Sequence, residues 1–333
     1  MMVSSENFIA DLKNKSYKEL LEIRDGLNRE LVNFENTNIP QSEYQISPSP
    51  DVVYQCNLEY LSRLCLLIAE KFRSEMRGNN EICEKKHYLL ILRDYLIVNV
   101  PDYDSSDSKS IIKRKQGQTF SLSEHIKGMI YSQLSSQRKW KQVELCLTEI
   151  DNVFFNYNVD KLKITPGSVF NAEIENLKCG NMSFAKSMEG LHYNIAIFEK
   201  IEKEYGSVDA FVTSDLPTEI VKKLSSYTSK YKLKQIGPAL AWEYLRNVGI
   251  DGAKPDDHLR RFLGADRMGK GYNSPASIGE ILEQVDALAT ETGLSKTAID
   301  KIIWYFCSAG YGEVCSKTPN CHKCPIRRLC RMG

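Results

Sequence analysis

Four of the chain's ten cysteines fall within sixteen residues, in the stretch CSKTPNCHKCPIRRLC from Cys315 to Cys330. The gaps between them are five, two and five residues. No other feature restricts the fold as tightly. A Cys-x2-Cys pair flanked at short range by two more thiols can wrap one compact metal centre. Soft thiolates select zinc or an iron–sulfur cluster. Structural zinc ribbons place two tight pairs on either side of a longer loop. Here only Cys321 and Cys324 form a tight pair, which favours a [4Fe–4S] cluster, with zinc as the alternative. The N-terminus has no basic start followed by an apolar run, so no secretory signal is expected. The chain is therefore placed in the cytoplasm, with the nucleoid if the source is bacterial, where thiols stay reduced.

Basic residues surround the cysteines: His322, Lys323, Arg327, Arg328 and Arg331. On a loop held rigid by a metal centre they would form a positive knob suited to phosphates. The net charge of +1 hides an imbalance. From residue 111 onward there are 31 Lys and Arg against 25 Asp and Glu, whereas residues 1–110 hold 13 against 18. A polyanion partner fits the second part if its excess is focused on one face.

Apolar residues recur at helical spacing almost throughout, as at Leu20, Leu21, Ile23, Leu27 and Leu31. Strand-like alternation is scarce, so the expected fold is all-α. No run of eighteen apolar residues occurs, so no membrane span is expected. The stretch NTNIPQSEYQISPSPD reads as a linker, and PDYDSSDSKS, from Pro101, reads as a domain boundary. These breaks predict an N-terminal helical module over 1–100, a linker over 101–119, a core over 120–310 and a metal loop over 311–333. The module carries no chemistry of its own; it could receive a protein partner. Its Cys56, Cys65 and Cys83 read as buried small hydrophobes.

A second constellation spans 232–264, KLKQIGPALAWEYLRNVGIDGAKPDDHLRRFLG. A helix ends near Tyr231, a turn follows, and Pro238 opens another helix, where its missing N–H costs nothing. Such a hairpin, over 233–238, exposes backbone N–H groups that can take one DNA phosphate without reading sequence. Asp256 follows Lys-Pro and precedes a helical run; an aspartate there most often serves as a cap.

Taken in order, these segments resemble the endonuclease III-like helix-hairpin-helix (HhH-GPD) DNA glycosylases with a C-terminal iron–sulfur loop. LKQIG resembles the family hairpin, PDDHLRRF the segment with its essential aspartate, and CSKTPNCHKCPIRRLC its cluster loop. The resemblance covers roughly two thirds of the chain and implies a two-lobed helical glycosylase fold. It places the catalytic carboxylate on Asp256 and the cluster ligands on Cys315, Cys321, Cys324 and Cys330. It places DNA contacts on Lys234, Gln235, Ile236, Gly237, His258, Arg261, Lys323, Arg327 and Arg328. Gln133, in MIYSQLSSQ, matches the glutamine that fills the gap left by an extruded base. The implied partner is double-stranded DNA bearing a damaged or mispaired base.

The departures refine this. The first cysteine gap is five residues, where the family has six. Lys234 and Gln235 replace the hairpin's Pro and first Gly. Ala239 stands where bifunctional members carry the lysine that forms a Schiff base, so the expected enzyme is monofunctional, releasing the base without cutting the strand. Gly128 stands where the adenine-specific branch has a glutamate. Tyr131, Trp140 and Trp242 are candidates to wall a base pocket by stacking. The rival readings are a DNA-binding or damage-sensing protein without turnover, and a zinc-bound structural protein.

Overall fold

The computed structural model describes residues 3–37, 48–83, 87–136 and 140–333, excepting the side chains of 73–83. Ten residues of the expected linker, 38–47, lie outside it. All regular structure among the described residues is helical. No helix among them is long and apolar enough to cross a membrane.

The chain forms two compact units, residues 1–86 and 87–333. The first is built from α1 (Ser5–Leu12), α2 (Tyr17–Asn36) and α3 (Pro50–Cys83). Ser16 opens α2 with a reciprocal cap in which Glu19 bonds back to the Ser16 backbone. Leu12, Leu20, Leu64, Leu67 and Ile68 form its core. Cys56 is half-buried and Cys65 is exposed, so neither is core filler as expected; the Cys83 side chain lies outside the described set.

The second unit opens with α4 (Tyr88–Asn99). The break at Pro101 suggested a boundary there, but α4 buries Leu89, Leu92 and Leu96 completely against helices of the second unit. Burying each such leucine stabilises by about 1.5–3 kcal/mol, which binds α4 to that unit. Nor is 101–119 a plain linker. It carries α5 (Lys109–Lys115), capped by Ser108. Arg114 on α5 donates to the Asp209 carboxylate at 2.7 Å and to the Val248 carbonyl at 2.7 Å.

Two apolar cores follow. One spans residues 120–250 and holds α6 (Leu122–Leu134), α7 (Leu191–Tyr205), α8 (Pro217–Ser225) and α9 (Pro238–Asn247), with further helices between them. The other joins α4 to α10 (Asp257–Phe262), α11 (Ile278–Thr292) and α12 (Lys296–Cys307), and extends to Val314 and Ile326. Gly128 lets α6 and α9 approach closely: a Cβ there would meet Val248 at 3.2 Å and Asn247 at 3.3 Å. Asn247 locks the contact by donating to the Gly128 carbonyl at 2.9 Å. A side chain at 128 would require these neighbours to give by a few tenths of an ångström.

Candidate active site

A cleft of ≈ 840 Å³ is walled by residues of both cores. From the first come Ser135, Trp140, Ala239 and Glu243; from the second come Asp256, His258, Asp300 and Trp304. A smaller cavity of ≈ 360 Å³ beside Tyr88, Met268 and Leu288 contains none of the predicted site residues.

Asp256 is the N-cap of α10. Its Oδ1 accepts from His258 N at 2.8 Å and Leu259 N at 3.2 Å. Among the described residues no hydrogen bond is made to Oδ2, so this carboxylate caps the helix and keeps one oxygen without a bond, on a residue that lines the cleft. His258 also lines the cleft; its Nδ1 lies 3.1 Å from Arg261 Nη2. Burial holds the His258 imidazole below its ordinary pKa, against the pull of Asp256. Arg261 is half-buried, its Nε is buried without a partner among the described residues, and it does not line the cleft.

Beneath Asp256 lies a group of charges. Arg246 Nη1 stands 3.3 Å from Glu243 Oε2 and 3.1 Å from Asp300 Oδ2. Lys254 Nζ lies 3.7 Å from the same Glu243 oxygen and 3.0 Å from Ser135 Oγ. Burial would raise Glu243, yet Lys254 and Arg246 hold it below the usual carboxylate range. For Asp300, burial wins: with Asp256 and Glu243 nearby and Arg246 opposing, its carboxyl is pushed up to about 7. Two carboxylates share one guanidinium, and the more buried one is left short of charge.

The hairpin turn forms, but its first helix, α8, ends at Ser225 and not near Tyr231, so a longer irregular stretch leads into the turn. Ile236 is buried, whereas Lys234, Gln235 and Gly237 are exposed. Gln235 adopts a left-handed φ of 59°, and Gly237 caps α9 without a side-chain bond. The turn is clamped by Asn194 of α7, which is fully buried. Asn194 Nδ2 donates to the Lys234 carbonyl at 3.1 Å, and its Oδ1 accepts from Lys234 N at 2.7 Å. Lys232 Nζ also donates to the carbonyls of Leu233, at 2.8 Å, and Ile236.

Other predicted residues are placed differently. Gln133 is 2% exposed, with both amide atoms buried and without a partner among the described residues. It faces the core; the cleft is reached instead by Ser135 and Ser136, just past the end of α6. The loop 178–183 lies beside this helix end, because Asn181 donates to the Gln133 carbonyl at 2.9 Å. Its Met182 is 94% exposed. Of the three aromatic candidates only Trp140 lines the cleft. Tyr131 bonds Asp151 at 2.7 Å, and Trp242 is buried against Gly252.

The four C-terminal cysteines border one small cavity with Arg267, Val314 and Met332. Burial, and then the neighbouring Cys315, Cys330 and Cys321, push the Cys324 thiol up to about 11. Cys315 moves the other way. A bond from Cys307 and the Arg267 guanidinium, whose Nη1 lies 2.9 Å from Cys315 Sγ, bring it down to about 6. Among the described residues no three His, Cys, Asp or Glu side chains stand close enough to grip a single ion. The loop is docked by Arg267 and by Arg331, whose Nη1 donates to the Ala265 carbonyl at 2.7 Å. Lys323, Arg327 and Arg328 remain exposed.

No family model and no curated protein matches the chain. Among solved structures, the crystal structure of Methanocaldococcus jannaschii 8-oxoguanine glycosylase/lyase in complex with 15mer DNA containing 8-oxoguanine is similar to it, with a TM-score of 0.42. Identity is 20%, covering 60% of this chain and 87% of that one. At that level the likeness decides neither fold nor activity.

Proposed function

We propose that the chain is a base-excision DNA glycosylase that binds duplex DNA, takes a damaged or mispaired base out of the stack and hydrolyses its N-glycosidic bond. The observation that carries this is Asp256: a carboxylate fixed through one oxygen, with the other free, on the wall of a two-lobed cleft. Breaking the bond makes an oxocarbenium-like sugar. A fixed carboxylate beside C1′ stabilises that charge and can orient the attacking water. Extruding the base costs a few kcal/mol, less where it is damaged or mispaired.

The rest of the cleft supports the same reading. The exposed hairpin residues Lys234, Gln235 and Gly237, and Lys323, Arg327 and Arg328 of the terminal loop, would hold phosphates on either side of the lesion. Trp140 and Trp304 offer faces for an extruded base. With Gln133 turned inward, exposed Met182 is better placed to wedge into the vacated stack. Ala239 gives α9 no amine, so base release goes to water and the enzyme is monofunctional.

We read the four cysteines, which border one cavity, as ligands of a [4Fe–4S] cluster and not of zinc. Zinc at about 2.3 Å from each sulfur would need the thiolates in mutual contact around one ion. A cluster takes each cysteine on a different iron. When bound, it would serve to brace the loop that presents the three basic residues. Purified protein with broad visible absorption and bound iron supports this; a colourless, zinc-loaded protein refutes it.

The activity is tested with duplexes each bearing one lesion, followed by mild alkali to reveal abasic sites. Release of at least one base by the wild type and none by Asp256→Asn is expected. If no lesion is processed, or the variant is as active, the proposal fails.

A further inference from the structure

Asp256 sits at the end of a loop, and a catalytic group needs firmer support than a loop gives unaided. Three tethers run from this loop to α12. The Asp251 carboxylate accepts from Lys296 N at 3.2 Å and Thr297 N at 2.9 Å. Thr297 Oγ1 accepts from Gly252 N at 3.3 Å and donates to the Gly252 carbonyl at 3.2 Å. Asp300 Oδ2 accepts from Lys254 N at 2.5 Å, and the Lys254 carbonyl accepts from Asp256 N at 2.8 Å.

The third tether differs from the others. Asp251 is exposed and accepts from the first N–H groups of the helix, which is ordinary capping, and Thr297, although buried, is a neutral hydroxyl that pairs with Gly252 alone. Asp300 is 2% exposed, on a helix whose Ile299, Ile302 and Ile303 are also buried. A carboxylate there costs stability relative to an apolar side chain of similar volume. It is compensated by Arg246, and through Arg246, Glu243 and Lys254 a closed circuit of charges links α9, α12 and the loop. The circuit therefore spans both lobes of the cleft.

We infer that Asp300 is the positioning residue of this site: anchored by Arg246, it holds the Lys254 backbone and thereby fixes Asp256 against the first lobe. The inference rests on the glycosylase reading only for what Asp256 does. The charged groups facing Asp300 are Arg246 and Glu243 from α9, and Lys254 and Asp256 from the loop. With its carboxyl pushed up to about 7, the ionised form, which makes the stronger bond to an N–H, is gained as pH rises through neutrality. Base release should show a step there.

Asp300→Ala and Asp300→Asn in the full chain separate the claims. Alanine removes the acceptor. Amide exchange at Lys254 and Asp256 should accelerate by about tenfold or more, the size of one lost charge-assisted hydrogen bond. Base release should fall at least as far, while affinity for duplex DNA changes by less than about threefold. Asparagine keeps an acceptor and loses the charge, so the amides stay protected and the step near neutral pH disappears. Unchanged amide protection in Asp300→Ala, or a wild-type pH step in Asp300→Asn, overturns the inference. Should no lesion be processed by the wild type, the glycosylase reading falls, and the exchange experiment still decides whether Asp300 holds the loop.

Discussion

Asn194→Ala is the sharpest test of how the hairpin is held. Asn194 is fully buried and spends its amide on both backbone groups of Lys234. Each such bond is worth about 1 kcal/mol net, and a buried partner left without one costs about 1–3 kcal/mol more. The Lys234 side chain is exposed, so water can reach part of the turn and relieve some of that penalty. The balance is a loss of about 2–4 kcal/mol, including the small cavity left by the amide. Urea unfolding followed by tryptophan fluorescence measures it. The same variant should bind duplex DNA about three- to tenfold more weakly, with an unchanged salt slope, because no phosphate-contacting lysine has been removed. Asn194→Asp keeps the acceptor for Lys234 N and should fall between the two. A stability loss below about 0.5 kcal/mol together with unaltered DNA affinity would show that the turn supports itself.

Four further outcomes are expected. Asp256→Asn should abolish base release yet retain DNA affinity; loss of both in a folded variant would make the residue structural only. Cys324→Ser should cost the protein its iron and its visible absorption, and full iron content in the variant would remove Cys324 from the ligand set. The wild type should give no borohydride-trapped adduct with abasic DNA, whereas Ala239→Lys should give one; an adduct with the wild type would end the monofunctional reading. Stability between about pH 5 and 7 should reflect two buried groups of opposite sign. His125, held below its ordinary pKa by burial, loses stability as pH falls, because the unfolded chain takes up a proton the folded one refuses. Asp300, raised from 3.8 to about 7, loses stability as pH rises across that interval, by roughly 2–3 kcal/mol. Asp300→Asn leaves His125 acting alone, so its stability should climb more steeply with pH than the wild type's. Equal slopes would contradict the assignment.

The legible parts of the site were those written in consecutive residues. The hairpin turn and the capping Asp256 depend on local spacing and emerge where expected, and the four terminal cysteines border one cavity. Contacts between distant segments left little trace. Nothing in LHYNIAIFEK marks Asn194 as the clamp of a turn forty residues away. Two signals were present but outweighed. Gln133 follows Ile126, Met129 and Ile130 at helical spacing, so the period alone puts it on the core face. Asp300 likewise interrupts the apolar stripe of Ile299, Ile303 and Phe306, and a charge in such a stripe calls for a buried partner. The boundary at Pro101 followed local composition, whereas the allegiance of α4 is decided by leucines that meet their partners two hundred residues later.

That allegiance affects how the protein can be cut. Because α4 and α12 lie far apart along the second unit and share one core, the core built from residues 120–250 is inserted in the chain between them. A fragment begun at residue 101, where composition invites the cut, would expose the apolar flank of α12 that leads into the cysteine loop. One begun at residue 87 would keep that flank covered.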